Sequence, residues 1–198
     1  FMFVKTVRLI IGKLNLARYV LFLVSLLIAA GVLFNLFYLS WGFNYFRPPL
    51  AKRMELDVTP RPAEELEALC YALAERAAAL REEVEEDENG VFTLPEGYGI
   101  YFNQIPAAYH NLGLREALFS RQAYPAKAVF LSKAMSYAGI AGIFVPYTNE
   151  PNVNVDQPAL FLPSTAAHET AHYLGVARED EANFVAYLAC TSSEITAI

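Results

Sequence analysis

Two of the three histidines in this 198-residue sequence lie four positions apart with a glutamate beside the first, in the run His168-Glu169-Thr170-Ala171-His172. Residues four apart lie on the same face of a helix, so both imidazoles could bind one metal ion. Glu169 lies next to that face, where it could take a proton from water without being a ligand. The spacing therefore predicts a zinc (Zn2+) site for metal-assisted hydrolysis, with His168 and His172 as metal ligands and Glu169 as the general base.

A catalytic zinc ion commonly takes three protein ligands and keeps its fourth position for water, so a third side chain must lie nearby. An acidic run over 178–183 opens a second predicted helix shortly downstream. Glu179 is the predicted third metal ligand, and Asn183, four residues later, is predicted to accept a hydrogen bond from a ligand histidine. Glu181 is the first alternative and Asp180 the second, because a shifted helix start would turn either one toward the metal.

The elements that must position these residues can be predicted from the flanking sequence. A helix is predicted over 164–175, with Ser164 or Thr165 as its N-cap and Gly175 at its end. The stretches 128–132 and 139–148 have the composition of a pair of strands, and 150–163 is predicted to be a loop. The predicted fold class is α+β, a zincin-like domain with the active-site helix packed beside a small β-sheet and one transmembrane helix before it.

A long apolar stretch near the N-terminus predicts that transmembrane helix. No charged residue occurs between Arg18 and Arg47, and a span needs only about 20 residues. A signal peptide is the weaker alternative, since the apolar run is long and no small-residue cleavage site follows it. Basic residues flank both ends, which leaves the orientation of the helix, and so the side of the membrane on which the domain lies, open.

The predicted organisation has four parts. Residues 1–18 form a basic N-terminal flank, 19–46 a transmembrane helix with an aromatic belt, 47–61 a proline-rich linker, and 62–198 a metallopeptidase domain that is cut short at its C-terminus. Within that domain a helix is predicted from Pro62, an irregular segment over 91–102, and one or two short helices over 105–119 with a break at Gly113. The net charge of −6 argues against a nucleic-acid partner.

The motifs resemble those of known peptidases. The H-E-x-x-H run with a downstream E-x-E-A-N run resembles the gluzincins, in particular membrane-embedded zincin peptidases whose third ligand lies in an E-x-x-A-D run, where Asn183 replaces the aspartate. More closely, the run Trp41-Gly42-x-Asn44-Tyr45-x-Arg47-Pro48 after an apolar helix is similar, together with H-E-x-A-H and E-D-E-A-N-F, to an uncharacterised bacterial family of membrane-anchored zincin-like proteins. That resemblance covers nearly the whole chain and implies a zincin fold and a bacterial, single-pass membrane protein.

The expected function is therefore that of a membrane-anchored zinc metallopeptidase, which uses a zinc-activated water to hydrolyse bonds in a peptide or protein substrate. Its lipid partner would be the bilayer around 19–46. The alternative is a catalytically silent zincin-fold sensor or binding module in the membrane. Five residues are candidate donors to the oxyanion by residue type, although His110 is more simply interpreted as a structural histidine; they are His110, Tyr147, Tyr173, Arg178 and Tyr187.

Overall fold

The computed structural model describes residues 16–193, so most of the predicted basic flank and the last five positions of the predicted domain lie outside the described residues. The chain divides into two compact units by its internal contacts, Phe1–Phe43 and Asn44–Ile198. The boundary falls inside the stretch that the sequence assigns to the membrane helix and its aromatic belt.

Helix α1, Leu16–Ser40, is the main described element of the first unit. Its stretch Ala17–Ser40 has a mean hydropathy of 2.6 and is nowhere buried, and it is the one candidate membrane span within the described residues. The helix ends at Ser40, and a 3₁₀ turn, Gly42–Phe46, follows it within the predicted aromatic belt. Gly42 suits that ending, because a Cβ there would lie 2.8 Å from a ring atom of Phe37.

The second unit confirms the predicted α+β class, with six helices and one small sheet among its described residues. In chain order its elements are α2 Leu50–Arg53, α3 Ala63–Arg81, α4 Tyr98–Arg115, β1 Lys127–Ala128, α5 Ser132–Tyr137, β2 Gly142–Val145, β3 Glu150–Val153, α6 Leu162–Tyr173 and α7 Glu179–Thr191. Short 3₁₀ turns at Ala117–Phe119 and Ala159–Phe161 complete it.

The sheet has the strand order β1-β3-β2, with β1 parallel and β2 antiparallel to β3. The two predicted strand segments do not pair with each other, since both pair with β3, which the sequence assigns to a loop. The sequence of β3, Glu-Pro-Asn-Val, lacks the usual strand composition, yet it alternates so that Pro151 and Val153 are buried. Of the first predicted segment, 128–132, only Ala128 lies in a strand, because β1 begins one residue earlier, at Lys127, and the chain turns into α5 directly after it.

Helices α4, α6 and α7 form most of the core. On α4, Ile105, Tyr109 and Leu112 recur at helical spacing and are fully or almost fully buried. This helix begins inside the segment predicted to be irregular and runs through the predicted break at Gly113. The glycine serves packing instead, because a Cβ there would lie 2.9 Å from the carbonyl oxygen of Phe119, where the chain folds back against the helix.

Alanines allow α6 and α7 to pack closely. Six of them, three on each helix, are 5% exposed or less, namely Ala166, Ala167, Ala171, Ala182, Ala186 and Ala189. Side chains this small bring two helix backbones near each other, which lets functional side chains on the two helices reach one point.

Two segments near the start of the second unit differ from the prediction. The predicted linker over 47–61 contains α2, and Leu50 at its start is 2% exposed and part of the hydrophobic core. The predicted helix from Pro62 is present as α3, but none of its residues is buried.

Candidate metal centre

The turn between α6 and α7 places the residues of the HExxH run opposite those of the acidic run. Gly175, with a φ of +92°, ends α6, and the amides of Gly175 and Val176 donate to the carbonyl oxygens of His172 at 2.9 Å and Ala171 at 3.1 Å. This pair of bonds is a Schellman motif, which favours glycine because of the left-handed backbone. Only five residues, 174–178, therefore connect the two helices.

His168, His172 and Glu179 meet at one point, and their ligand atoms all lie within 4.8 Å of one another. Glu179 Oε2 lies 3.0 Å from His168 Nε2 and 3.5 Å from His172 Nε2, and the two Nε2 atoms are 3.1 Å apart. Ligand atoms of a tetrahedral zinc ion with bonds of about 2.0 to 2.1 Å are about 3.3 Å apart. The three separations, 3.0, 3.5 and 3.1 Å, scatter around that value, so these donors fit a zinc ion.

The other ring nitrogen of each histidine has an oxygen partner that fixes its proton. His168 Nδ1 lies 2.8 Å from Asn183 Oδ1, and His172 Nδ1 lies 2.7 Å from the carbonyl oxygen of Val176. Because both oxygens can only accept, each Nδ1 carries a hydrogen, and Nε2 is the ring nitrogen that each histidine has left for binding a metal. Burial, the largest influence, lowers the pKa of His172, which also favours its neutral form.

The acidic residues of α7 have separate positions. Glu179 reaches the histidines, whereas Glu181 Oε1 accepts the amide hydrogen of Leu50 at 2.6 Å. Asp180 is exposed and belongs to no cluster of candidate metal ligands within the described residues. The structure thus brings the predicted ligand Glu179 to the two histidines and directs the first alternative elsewhere.

Glu169 is 5% exposed and lies between the histidine face of α6 and the sheet. Its carboxylate accepts the amide hydrogen of Phe144. It also fills the space beside Gly142, where a Cβ would lie 2.5 Å from Glu169 Oε1. Burial, and next the charge of Glu179, raise the pKa of Glu169 to about 8, and the Phe144 hydrogen bond opposes that rise.

A cavity of about 990 Å³ opens beside the cluster. Parts of α3, α6 and α7 line it together with the loop before β2, and the lining includes His168, Glu169, Glu179, Asn183 and Tyr187. Among the five candidate oxyanion donors, Tyr187 alone lines this cavity. His110 is exposed away from it on α4, and Tyr173 is 5% exposed with the guanidinium of Arg121 over its ring.

Three residues that support the site carry no prediction from the sequence. Gly142 leaves room for Glu169, the Val176 carbonyl orients His172, and the buried hydroxyl of Tyr109 donates to the carbonyl oxygen of Ala167 at 2.7 Å. A glycine inside a strand-like run was a weak signal for close approach of another group. The contacts of His172 with the Val176 carbonyl and of Tyr109 with the Ala167 carbonyl could not be predicted, because every residue has a backbone oxygen.

These observations define a class, an α+β protein with a His-His-Glu cluster on two adjoining helices and an apolar, membrane-length helix before the domain. The chain belongs to the family described as Protein of unknown function (DUF3810), whose family model matches residues 1–198. No curated protein and no solved structure matches it.

Proposed function

We propose that this protein is a zinc metallopeptidase of the zincin type, with His168, His172 and Glu179 as metal ligands. The observation that carries the proposal is the convergence of two Nε2 atoms and one carboxylate oxygen at spacings that fit tetrahedral zinc. Cysteine or a third histidine would commonly complete a structural site, whereas a three-ligand set leaves one position open for chemistry. The adjoining cavity offers room for a peptide substrate.

In this proposal each side chain has one task. Zinc, when bound, supplies a Lewis acid that polarises a carbonyl group and makes a water more acidic. Glu169 takes the proton of the attacking water on its carboxylate and returns it to the leaving nitrogen. Asn183 and the Val176 carbonyl hold the imidazoles in the tautomers that present Nε2. Tyr187 is the candidate donor to the oxyanion, because it shares the cavity with Glu169.

Membrane anchoring by α1 is part of the same proposal. The support for it is the length and apolar character of Ala17–Ser40, which suffice to cross a bilayer core of about 30 Å. A peptide or protein would then be cut by a domain tethered to the bilayer.

The competing candidate is a catalytically silent binding module that keeps the zinc-binding side chains. The observation that favours it is the position of Glu169, whose carboxylate accepts the Phe144 amide hydrogen and packs against Gly142.

Zinc content and casein hydrolysis, measured together on the full chain and two variants, separate these candidates. We expect about one zinc ion per chain in the unaltered protein and in Glu169→Gln, with hydrolysis lost in Glu169→Gln. Glu179→Gln should bind zinc weakly. An unaltered chain without zinc would refute the metal centre, and hydrolysis that survives Glu169→Gln would refute the assigned base. Bound zinc with no hydrolysis in the unaltered chain would favour the binding module.

A further inference from the structure

The segment that follows α1 in the sequence packs against the turn that carries the metal centre. A Cβ on Gly175 would lie 2.8 Å from Arg47 Nη1 and 2.9 Å from Asn44 Oδ1, so these two side chains cover the glycine. Both belong to the W-G-x-N-Y-x-R-P run, for which the proposed reaction has no role. Asn44 and Arg47 therefore have a structural partner, Gly175, close to the candidate metal ligands in the chain.

The same segment also holds the first turn of α7. The N-cap residue of helix α2, Pro49, makes no side-chain hydrogen bond, and the first amide of the helix, on Leu50, donates to Glu181 Oε1 at 2.6 Å instead. This bond satisfies an amide that has no partner within its own helix. Burial and the charge of Arg47 lower the pKa of Arg53, and the charge of Glu181 opposes them, which places Arg53 near both Arg47 and the carboxylate. The Leu50 side chain packs into the core shared with α7.

Glu179 depends on a fixed backbone because few contacts hold its own side chain in place. Its side chain is 77% exposed, and among the described residues its carboxylate contacts only the two ligand histidines. Glu179 and Glu181 lie in the same first turn of α7. Whatever fixes the backbone at Glu181 therefore fixes the direction in which Glu179 points.

We propose that residues 44–53 are the positioning element of the metal centre and that Glu181 is a positioning residue for the third ligand, Glu179. This inference rests on the proposed function, since it assumes that Glu179 binds the metal. The physical reason is that binding a metal must order both the Glu179 side chain and the backbone that carries it, and a backbone that is already fixed removes the second part of that entropy cost. Glu181 thus acts on metal affinity without touching the metal.

Metal titrations of the full chain in detergent test this, with Zn²⁺ for affinity and Co²⁺ as a spectroscopic probe of ligand geometry. Glu181→Ala removes the acceptor for Leu50, and we expect about tenfold weaker Zn²⁺ binding and an altered Co²⁺ absorption spectrum. Glu181→Gln keeps an oxygen that can accept the same hydrogen bond, so its affinity should stay within about twofold of the unaltered value. Asp180→Ala, in the same turn, is the matched control and should bind both metals normally.

A second variant covers the case in which Glu181→Ala does not fold. Glu181→Asp keeps the charge but is one methylene shorter, so it should also weaken Zn²⁺ binding. A merely structural role would lower the melting temperature of the metal-free variants while leaving the Zn²⁺ affinity and Co²⁺ spectrum unchanged, and that result would overturn the inference alone. Normal metal binding without hydrolysis in the unaltered chain would overturn only the peptidase reaction. An unaltered chain that binds no zinc would overturn both.

Discussion

Glu169 combines burial with a position next to the candidate metal ligands, which gives the metal-free protein a distinctive dependence on pH. Its pKa is about 8 in the folded protein and 4.5 in an ordinary environment. Between those values the folded protein holds a proton that the unfolded chain has released. The free energy of unfolding should therefore fall as the pH rises from 4.5 to 8 and then level off.

Glu169→Gln removes this titration, so we predict that the variant gains stability relative to the unaltered protein as the pH rises through that range. The gain at its upper end should be on the order of a few kcal/mol. Denaturant unfolding of both proteins with excess chelator, at several pH values, measures the difference. If the free energies of unfolding of the two proteins differ by the same amount at every pH in this range, the pKa of Glu169 is not raised in the folded protein.

Gly142 lies against that carboxylate, and Gly142→Ala should force the two groups apart. The added Cβ would lie 2.5 Å from Glu169 Oε1, and we expect a loss of about 1 to 3 kcal/mol in the free energy of unfolding. The loss should shrink when Glu169 is also replaced by alanine, which a double-mutant cycle measures. Gly99→Ala is the control, because nothing lies within 4 Å of its added Cβ. If Gly142→Ala lowers the free energy of unfolding equally with Glu169 present and with Glu169 replaced by alanine, the two groups are not in contact.

Asn183 should set the zinc affinity through His168. The bond from His168 Nδ1 to Asn183 Oδ1, 2.8 Å long, holds the ring so that Nε2 faces the other ligands. Asn183→Ala should weaken zinc binding about 10- to 100-fold. Asn183→Asp keeps an acceptor and adds a charge, so its affinity should not fall. Competition titrations against a chromogenic chelator provide the measurement, and unchanged affinity in Asn183→Ala would refute this role.

At the scale of elements, the contact between α4 and α6 holds the HExxH helix in place. The Tyr109 hydroxyl is buried and donates to the Ala167 carbonyl at 2.7 Å. Tyr109→Phe should cost about 1 kcal/mol of unfolding free energy, because one buried hydrogen bond is lost and little shape changes. Tyr101→Phe is the control, since its hydroxyl has no described hydrogen-bond partner and it too lies on α4. Equal effects of the two changes in urea unfolding would contradict the prediction.

The sequence predicted the elements whose signals are local and missed those that depend on distant pairing. Helix α6 followed from the histidine spacing and the closing glycine, and α7 from its acidic first turn. The predicted cap of α6, Ser164 or Thr165, was wrong, because the helix begins earlier, at Leu162, with Phe161 before it and no side-chain cap. Strand β3 was missed because its four residues become extended only through pairing with β1 and β2. Helix α2 was hidden by the prolines before it, and its stability comes from the contact of Leu50 with Glu181, 131 positions away.

The candidate site shows the same division. The spacing of His168 and His172 predicted their common face, and the acidic run predicted Glu179 but left Glu181 open. Only the fold could decide between them, since the partner of Glu181 is an amide on a distant segment. The support that Gly142 gives to Glu169 likewise required the sheet to be placed beside α6.

At the scale of the whole molecule, α1 should decide where the protein resides. Replacing both Leu27 and Ile28 by arginine places two charges in the apolar helix, each costing about 2.5 to 3.5 kcal/mol at a bilayer centre. We predict that the unaltered chain stays in the membrane pellet after alkaline extraction and that the double variant moves largely to the supernatant. Leu114→Arg is a suitable control, because Leu27 and Leu114 are 73% and 74% exposed and Leu114 belongs to the other unit. An unaltered chain in the supernatant would refute anchoring, and a mature mass without residues 1–40 would indicate a cleaved signal.

The short connection between α6 and α7 also has a consequence for how the protein is made. All three candidate ligands come from twelve consecutive positions, 168–179, so little chain entropy is lost when they are brought together. Contacts of such low sequence separation form quickly compared with the pairing of β1 and β3. If the proposed site binds zinc, a helical hairpin of this kind could take up the ion while much of the sheet is still unformed. Zinc supplied during refolding should then speed the appearance of native structure, whereas zinc added afterwards should only stabilise it.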